Sequence, residues 1–152
     1  MSKVIVVIIG VFLCVLFSSC SSDDACSPGV IVITNLEDEY SCVNTAYEMD
    51  IQLVDEFIII RSQSDFNNLV TGSCMPQIDF TTFDLLIGKQ GLSNGVDTIV
   101  YDGIIRNCDD NQLYLTVIFI QNATTEAPNL TYHVLVPKLG ATETINVSID
   151  LN

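Results

Sequence analysis

Seven short runs rich in Val, Ile, Thr, Tyr and Phe recur along this chain, at residues 29–34, 49–61, 83–89, 97–106, 112–121, 131–138 and 144–151. Each is bounded by Asn, Asp, Gly or Pro. β-Branched and aromatic side chains suit a pleated, half-buried surface, and the bounding residues supply the turns between strands. From Thr144 to Leu151 every second residue is apolar, so that strand is expected to put one face on a core and the other in water. Phe57 to Ile60 and Val117 to Ile120 are apolar without interruption, which predicts central strands buried on both faces. The pattern specifies a mainly β chain: a single antiparallel β-sandwich or roll-like domain over residues 29–152. Nothing in it reads as a Gly/Ser- or Pro-rich linker or a solenoid repeat.

One helix interrupts the strands, in SQSDFNNLVTG. Ser62 or Ser64 can cap its first turn, Asp65 suits the positive end of the helix dipole, and Phe66, Leu69 and Val70 form an apolar stripe. Gly72 stops it. The expected helix covers about residues 64–71 and is too short to persist without packing on the sheet.

The N-terminal segment has a different character. After Lys3, Val4 to Phe17 contains nothing charged, yet the run is shorter than the roughly 20 apolar residues that cross a bilayer. It reads as a signal peptide. The residues Leu16, Phe17, Ser18, Ser19 and Cys20 resemble a bacterial lipobox, with Phe17 at the position usually held by Leu. That resemblance implies a lipoprotein signal peptide over residues 1–19 and lipidation of Cys20, by diacylglycerol on the thiol and an acyl chain such as palmitate on the new amino group. Two or three chains, each gaining about 0.8 kcal/mol per buried methylene, hold a domain to a membrane. Residues 20–28, with Ser21, Ser22, Asp23 and Asp24, then form an acidic tether. They resemble the short acidic signal that sends some Gram-negative lipoproteins to the outer face of the outer membrane. The expected location is therefore the outer membrane, lipid-anchored and at the cell surface, with a periplasm-facing position as the alternative.

Five basic residues stand against 19 acidic ones, a formal charge of −14. Loss of Lys3 with the leader makes the mature chain more acidic still. Phosphate backbones require a basic surface, so nucleic acid is excluded as the expected partner. Such a charge favours solubility, a basic partner or divalent cations.

Cysteine usage agrees with export. With Cys14 removed and Cys20 lipidated, Cys26, Cys42, Cys74 and Cys108 remain, and four cysteines allow three connectivities. Closure of local loops favours Cys26–Cys42 with Cys74–Cys108. A zinc site is disfavoured, because there is no CxxC and His133 is the one histidine.

Catalytic signatures are missing from the sequence: no GxSxG elbow, P-loop or GxGxxG occurs. His133 sits in a strand between Tyr132 and Val134 and reads as a structural histidine. Asp109, Asp110 and Asn111 lack calcium-loop spacing and read as a turn. Asp79 and Asp84 could be set as an acid and base pair, but two carboxylates in an interstrand turn are commonplace. The expectation is a protein with no enzymatic activity, cofactor or metal. Asp97-Thr98-Ile99 fits a bacterial O-glycosylation pattern, which makes Thr98 a candidate acceptor. Three eukaryotic-style sequons, at Asn122, Asn129 and Asn146, carry no weight in a bacterial lipoprotein.

The order of elements from residue 57 to 140 supports one resemblance. A strand ending in Arg61 and Ser62 precedes the helix with Asp65 and Phe66, then Ile78-Asp79-Phe80 leads into Leu85, Leu86, Ile87 and Gly88. The segment GLSNGVDTI follows, then a hairpin, then a strand closing in Val134, Leu135, Val136, Pro137 and Lys138. This resembles the PrcB-type lipoproteins, subunits of a surface protease complex, although Asn94-Gly95-Val96 stands where that family has a GGY-like turn. The resemblance implies a non-catalytic interaction module that docks on a protease or another envelope protein. Edge strands or the loop from Gly88 to Gly95 would make the contact. A surface binder of small ligands or glycans is the alternative, weakened by the absence of Trp.

Overall fold

The computed structural model describes residues 29–53 and 57–152. In chain order these form β1 (Val30–Ile31), α1 (Leu36–Tyr40), α2 (Thr45–Glu48), β2 (Met49–Ile51), β3 (Phe57–Ile60), α3 (Gln63–Leu69), β4 (Val70–Gly72), β5 (Phe83–Gly91), β6 (Val96–Asn107), β7 (Gln112–Gln121), β8 (Asn129–Pro137) and β9 (Ile145–Leu151). The mainly β reading holds. Cys20, Cys26, the signal segment and the acidic tether lie outside the described residues.

Strand alternation builds three layers. An outer sheet runs β1-β6-β7-β9, a central sheet runs β3-β5-β8, and β2 with β4 forms a two-stranded ribbon. Even-numbered residues of β8, Leu130, Tyr132, Val134 and Val136, join Leu86 against the inward face of the outer sheet, where Ile104, Leu113, Leu115, Val117 and Phe119 are buried. Leu85, Ile87 and Leu135 point to the opposite side and pack with Leu36, Met49, Ile51, Phe66 and Val70 from the helices and ribbon. The central sheet therefore has a core on each face.

Several expectations change with this layering. Val117 to Ile120 is not buried on both faces: Val117 and Phe119 are buried, whereas Ile118 and Ile120 are only half-buried, because β7 belongs to the outer sheet. Phe57 to Ile60 is an edge strand with only Ile60 buried. The doubly covered strands are β5 and β8. β9 pairs parallel to β7, since its chain arrives by a crossover from β8 in the central sheet, so the pairing is not antiparallel throughout.

Three helices are present among the described residues rather than one. α3 is capped by Ser62, whose side chain accepts the Asp65 N–H, and it buries Phe66. It ends at Leu69, and Val70 opens β4, so the buried Val70 belongs to a strand and Leu69 is exposed. Gly72, at φ 145°, lets β4 lie on β2; a Cβ there would stand 2.2 Å from the Glu48 carbonyl oxygen. α1 starts at Asn35, whose side chain accepts the Asp38 N–H at 2.7 Å, and stops at Ser41 in the left-handed region.

Among the described residues a disulfide joins Cys42 to Cys74, with Cα atoms 5.7 Å apart. It ties the α1–α2 connection to the chain leaving β4. This overturns the expected Cys26–Cys42 and Cys74–Cys108 pairs: loop locality was the wrong criterion, because β2–β4 pairing brings residues 32 apart in sequence together. Cys108 is disulfide-bonded as well.

Candidate functional site

A largely enclosed polar cluster lies where α1, α2 and β8 meet. His133, on the odd-numbered face of β8, points toward the helices and is 2% exposed. Its Nε2 lies 2.7 Å from Thr45 Oγ1 and 3.4 Å from Glu37 Oε2. The Thr45 hydroxyl donates to Glu37 Oε1. A hydroxyl has one proton, so Nε2–H donates to Thr45 and Thr45 donates to Glu37. That order places the imidazole proton on Nε2. His133 Nδ1 is buried with no hydrogen-bond partner.

Burial alone would raise the Glu37 carboxyl, but the hydrogen bonds from His133 and Thr45 outweigh it and hold the group at about 2. Around the strand edge, the Tyr101 hydroxyl accepts the His133 backbone N–H at 3.2 Å. Burial pushes the Tyr101 phenol well above its ordinary value. A cavity of about 170 Å³ opens beside Asn35, Glu37, Thr45, Ile99, Tyr101 and His133.

Chemically, this is a clamp. Thr45 is buried and its proton is committed to a carboxylate, which leaves its oxygen turned to an N–H rather than to a base. Glu37, held near 2, is poorly matched to taking protons at neutral pH. The cluster fixes two short helices to the central sheet. No motif links its members, and the one local sign was the cap Asn35-x-x-Asp38 that starts α1 and aims Glu37 inward.

The second candidate is the outward face of the outer sheet. Register aligns Val30 with Ile105 and Ile105 with Tyr114; farther along, Val100 faces Ile118. These are the residues that alternation turns away from the core, and Val30 is 65% and Ile105 49% exposed. Across β9 the face becomes polar, with Asn146, Ser148 and Asp150. Contiguous exposed apolar and aromatic side chains mark contact surfaces.

Charge sets the rim. Arg61 donates to the Gly140 and Glu143 carbonyls, Lys89 pairs with Asp50, Arg106 with Glu143, and Lys138 with Asp84. All the cations among the described residues are thus engaged internally, while Asp97, Asp102 and Asp150 on the outer sheet are exposed.

The other residues singled out in the sequence do not converge. Asp84 is buried and bonds Lys138 and the Leu139 N–H, whereas Asp79 is exposed and caps the turn at Thr81 and Thr82. Asp110 and Asn111 close the β6–β7 turn, with Asp110 accepting the Gln112 N–H and the Tyr114 hydroxyl. Thr98 is exposed on β6. The expected contact loop from Gly88 to Gly95 is largely strand: Gly88 to Gly91 pair with β8 and Leu92 and Gly95 are buried, so exposure is confined to Gly91, Ser93 and Asn94. Among the described residues no group of three or more metal-ligating His, Cys, Asp or Glu side chains gathers.

Compared with family models, with curated proteins and with solved structures, the chain matches none of them.

Proposed function

We propose that this protein is an envelope lipoprotein, held at the outer membrane through Cys20, that works as a non-catalytic interaction module. The observation that carries the proposal is the exposed ladder of Val30, Ile105 and Tyr114 beside Val100 and Ile118, set in a surface whose free charges are carboxylates. The partner that fits is a protein with an apolar centre and a basic rim. Apolar contact supplies affinity there, and opposite charge supplies orientation and rate of encounter. The resemblance to PrcB-type lipoproteins makes an envelope protease the first partner to examine.

Two measurements test this reading. The intact mass of membrane-fraction protein from a Gram-negative host should equal residues 20–152 plus diacylglycerol and acyl, and Cys20→Ser should lose that mass; an uncut or unlipidated chain would sink the anchor. Ile105→Lys puts a cation at the centre of the apolar ladder without touching a core. A reproducible partner in native membranes should be lost from this variant while its melting temperature stays at the wild-type value. Equal recovery by both proteins would exclude this face.

A further inference from the structure

Among the described residues, β9 ends the outer sheet with only one side paired. The Asn152 N–H donates to the Phe119 carbonyl at 3.0 Å, and the Gln121 N–H donates to the Asn152 carbonyl at 2.6 Å. Backbone groups alternate in direction along a strand, so even-numbered residues of β9 face β7. Val147, Ile149 and Leu151 turn theirs outward. No backbone group among the described residues meets them there.

The edges of β8 and β6 are finished, and β3, an edge strand of the central sheet, is only four residues long. The outer side of β8 is taken by Thr34, which exchanges hydrogen bonds with Leu135 at 3.1 and 2.8 Å, and by the Tyr101 hydroxyl on His133. β6 carries Asp97 and Asp102, a register shift, and Gly103 at φ 82°, and β1 covers its end. Charges, bulges and covering segments are the devices that stop edge-to-edge pairing. β9 has none of them: INVSIDL holds no Lys, Pro or Gly, and its register on β7 is unbroken. Its one charge, Asp150, projects from the outer face opposite Ile118 rather than along the edge.

We infer that two copies of this chain pair antiparallel through β9, about a twofold axis at Ser148, and so join their outer sheets. Antiparallel pairing must set outward-turned residues opposite outward-turned ones, which here means odd opposite odd. Centring on Ser148 overlaps the whole of Ile145–Leu151, places Val147 opposite Ile149 and Ile145 opposite Leu151 of the second copy, and makes about eight backbone hydrogen bonds. On the outer face Asn146 meets Asp150, an amide against a carboxylate, and Ser148 meets itself. Centring on Asp150 would oppose two carboxylates and shorten the overlap. The strand is therefore complementary to its own copy in register, length and charge, which selects a second copy over a foreign strand. The overall charge of −14 opposes association at long range, so the dimer strengthens as salt is added.

The test uses the full-length chain in membranes of expressing cells. Residues opposite one another at a non-hydrogen-bonded antiparallel position have Cα atoms about 4.5 Å apart, within disulfide range. Ser148→Cys should give a covalent dimer on mild oxidation, while Asn146→Cys, which faces Asp150, should stay at background. In detergent, wild type should sediment as a dimer whose population rises with salt. Ser148→Lys, at an exposed position, should sediment as a monomer with an unchanged circular dichroism spectrum. Equal cross-linking at 148 and 146, or a wild-type monomer at every salt concentration, would overturn the inference. Neither result bears on lipidation or on the Ile105 face.

Discussion

Glu37→Gln removes one charge from the His133 clamp while leaving an oxygen to accept the Thr45 proton. The carboxyl is held at about 2 against an ordinary 4.5. At about 1.4 kcal/mol for each tenfold change, full enclosure would make that worth about 3 kcal/mol. The Glu37 side chain is 36% exposed, however, and solvent screening reduces the figure to about 1–2 kcal/mol. Because the folded value lies below the unfolded one, this stabilisation is fully present above about pH 4.5 and is lost as pH falls through about 2. Urea unfolding of both proteins across that range measures it directly. Near neutral pH the variant should be about 1–2 kcal/mol less stable, and the two curves should converge on acidification. A gap that stays constant down to pH 2, or no gap near neutrality, would refute the charge network as the source of stability.

Three further outcomes follow from the packing. Cys42→Ser should cost about 3–4 kcal/mol in the chain-entropy account, read as an unfolding midpoint below that of the oxidised wild type. Leu86→Ala, at a fully buried position between the outer and central sheets, should cost about 3 kcal/mol in the same assay, and a loss below about 1 kcal/mol would contradict the two-sheet core. Non-reducing peptide mapping should recover the Cys42–Cys74 bridge, and a different pairing of either cysteine would contradict the packing of β4 on β2.

Strand positions were legible because alternation is a local property. Thr144 to Leu151 reads one residue in, one residue out, and β9 follows that pattern at its buried start. Ser62 and Asp65 marked the start of α3 for the same reason, since a cap needs only three residues of chain. Features that depend on which layer a strand enters were not legible. Cys42 and Cys74 meet because two short strands pair across 32 residues, and Glu37, Thr45, Tyr101 and His133 meet because α1, α2, β6 and β8 share one edge of the central sheet.

The continuous apolar run at Val117 to Ile120 carries the sharper lesson. In a sequence, a strand buried on both faces and a strand with one buried face and one partly exposed apolar face look alike. Ile118 lies half-buried on the outward side of β7, opposite Val100, where no core among the described residues covers it. A strand of the outer layer that merely met water would carry polar residues at those positions, as β9 does with Asn146, Ser148 and Asp150. The same departure from alternation that hid the layer of β7 in the sequence leaves apolar side chains on its outward face in the fold, the kind of surface on which the proposed contact rests.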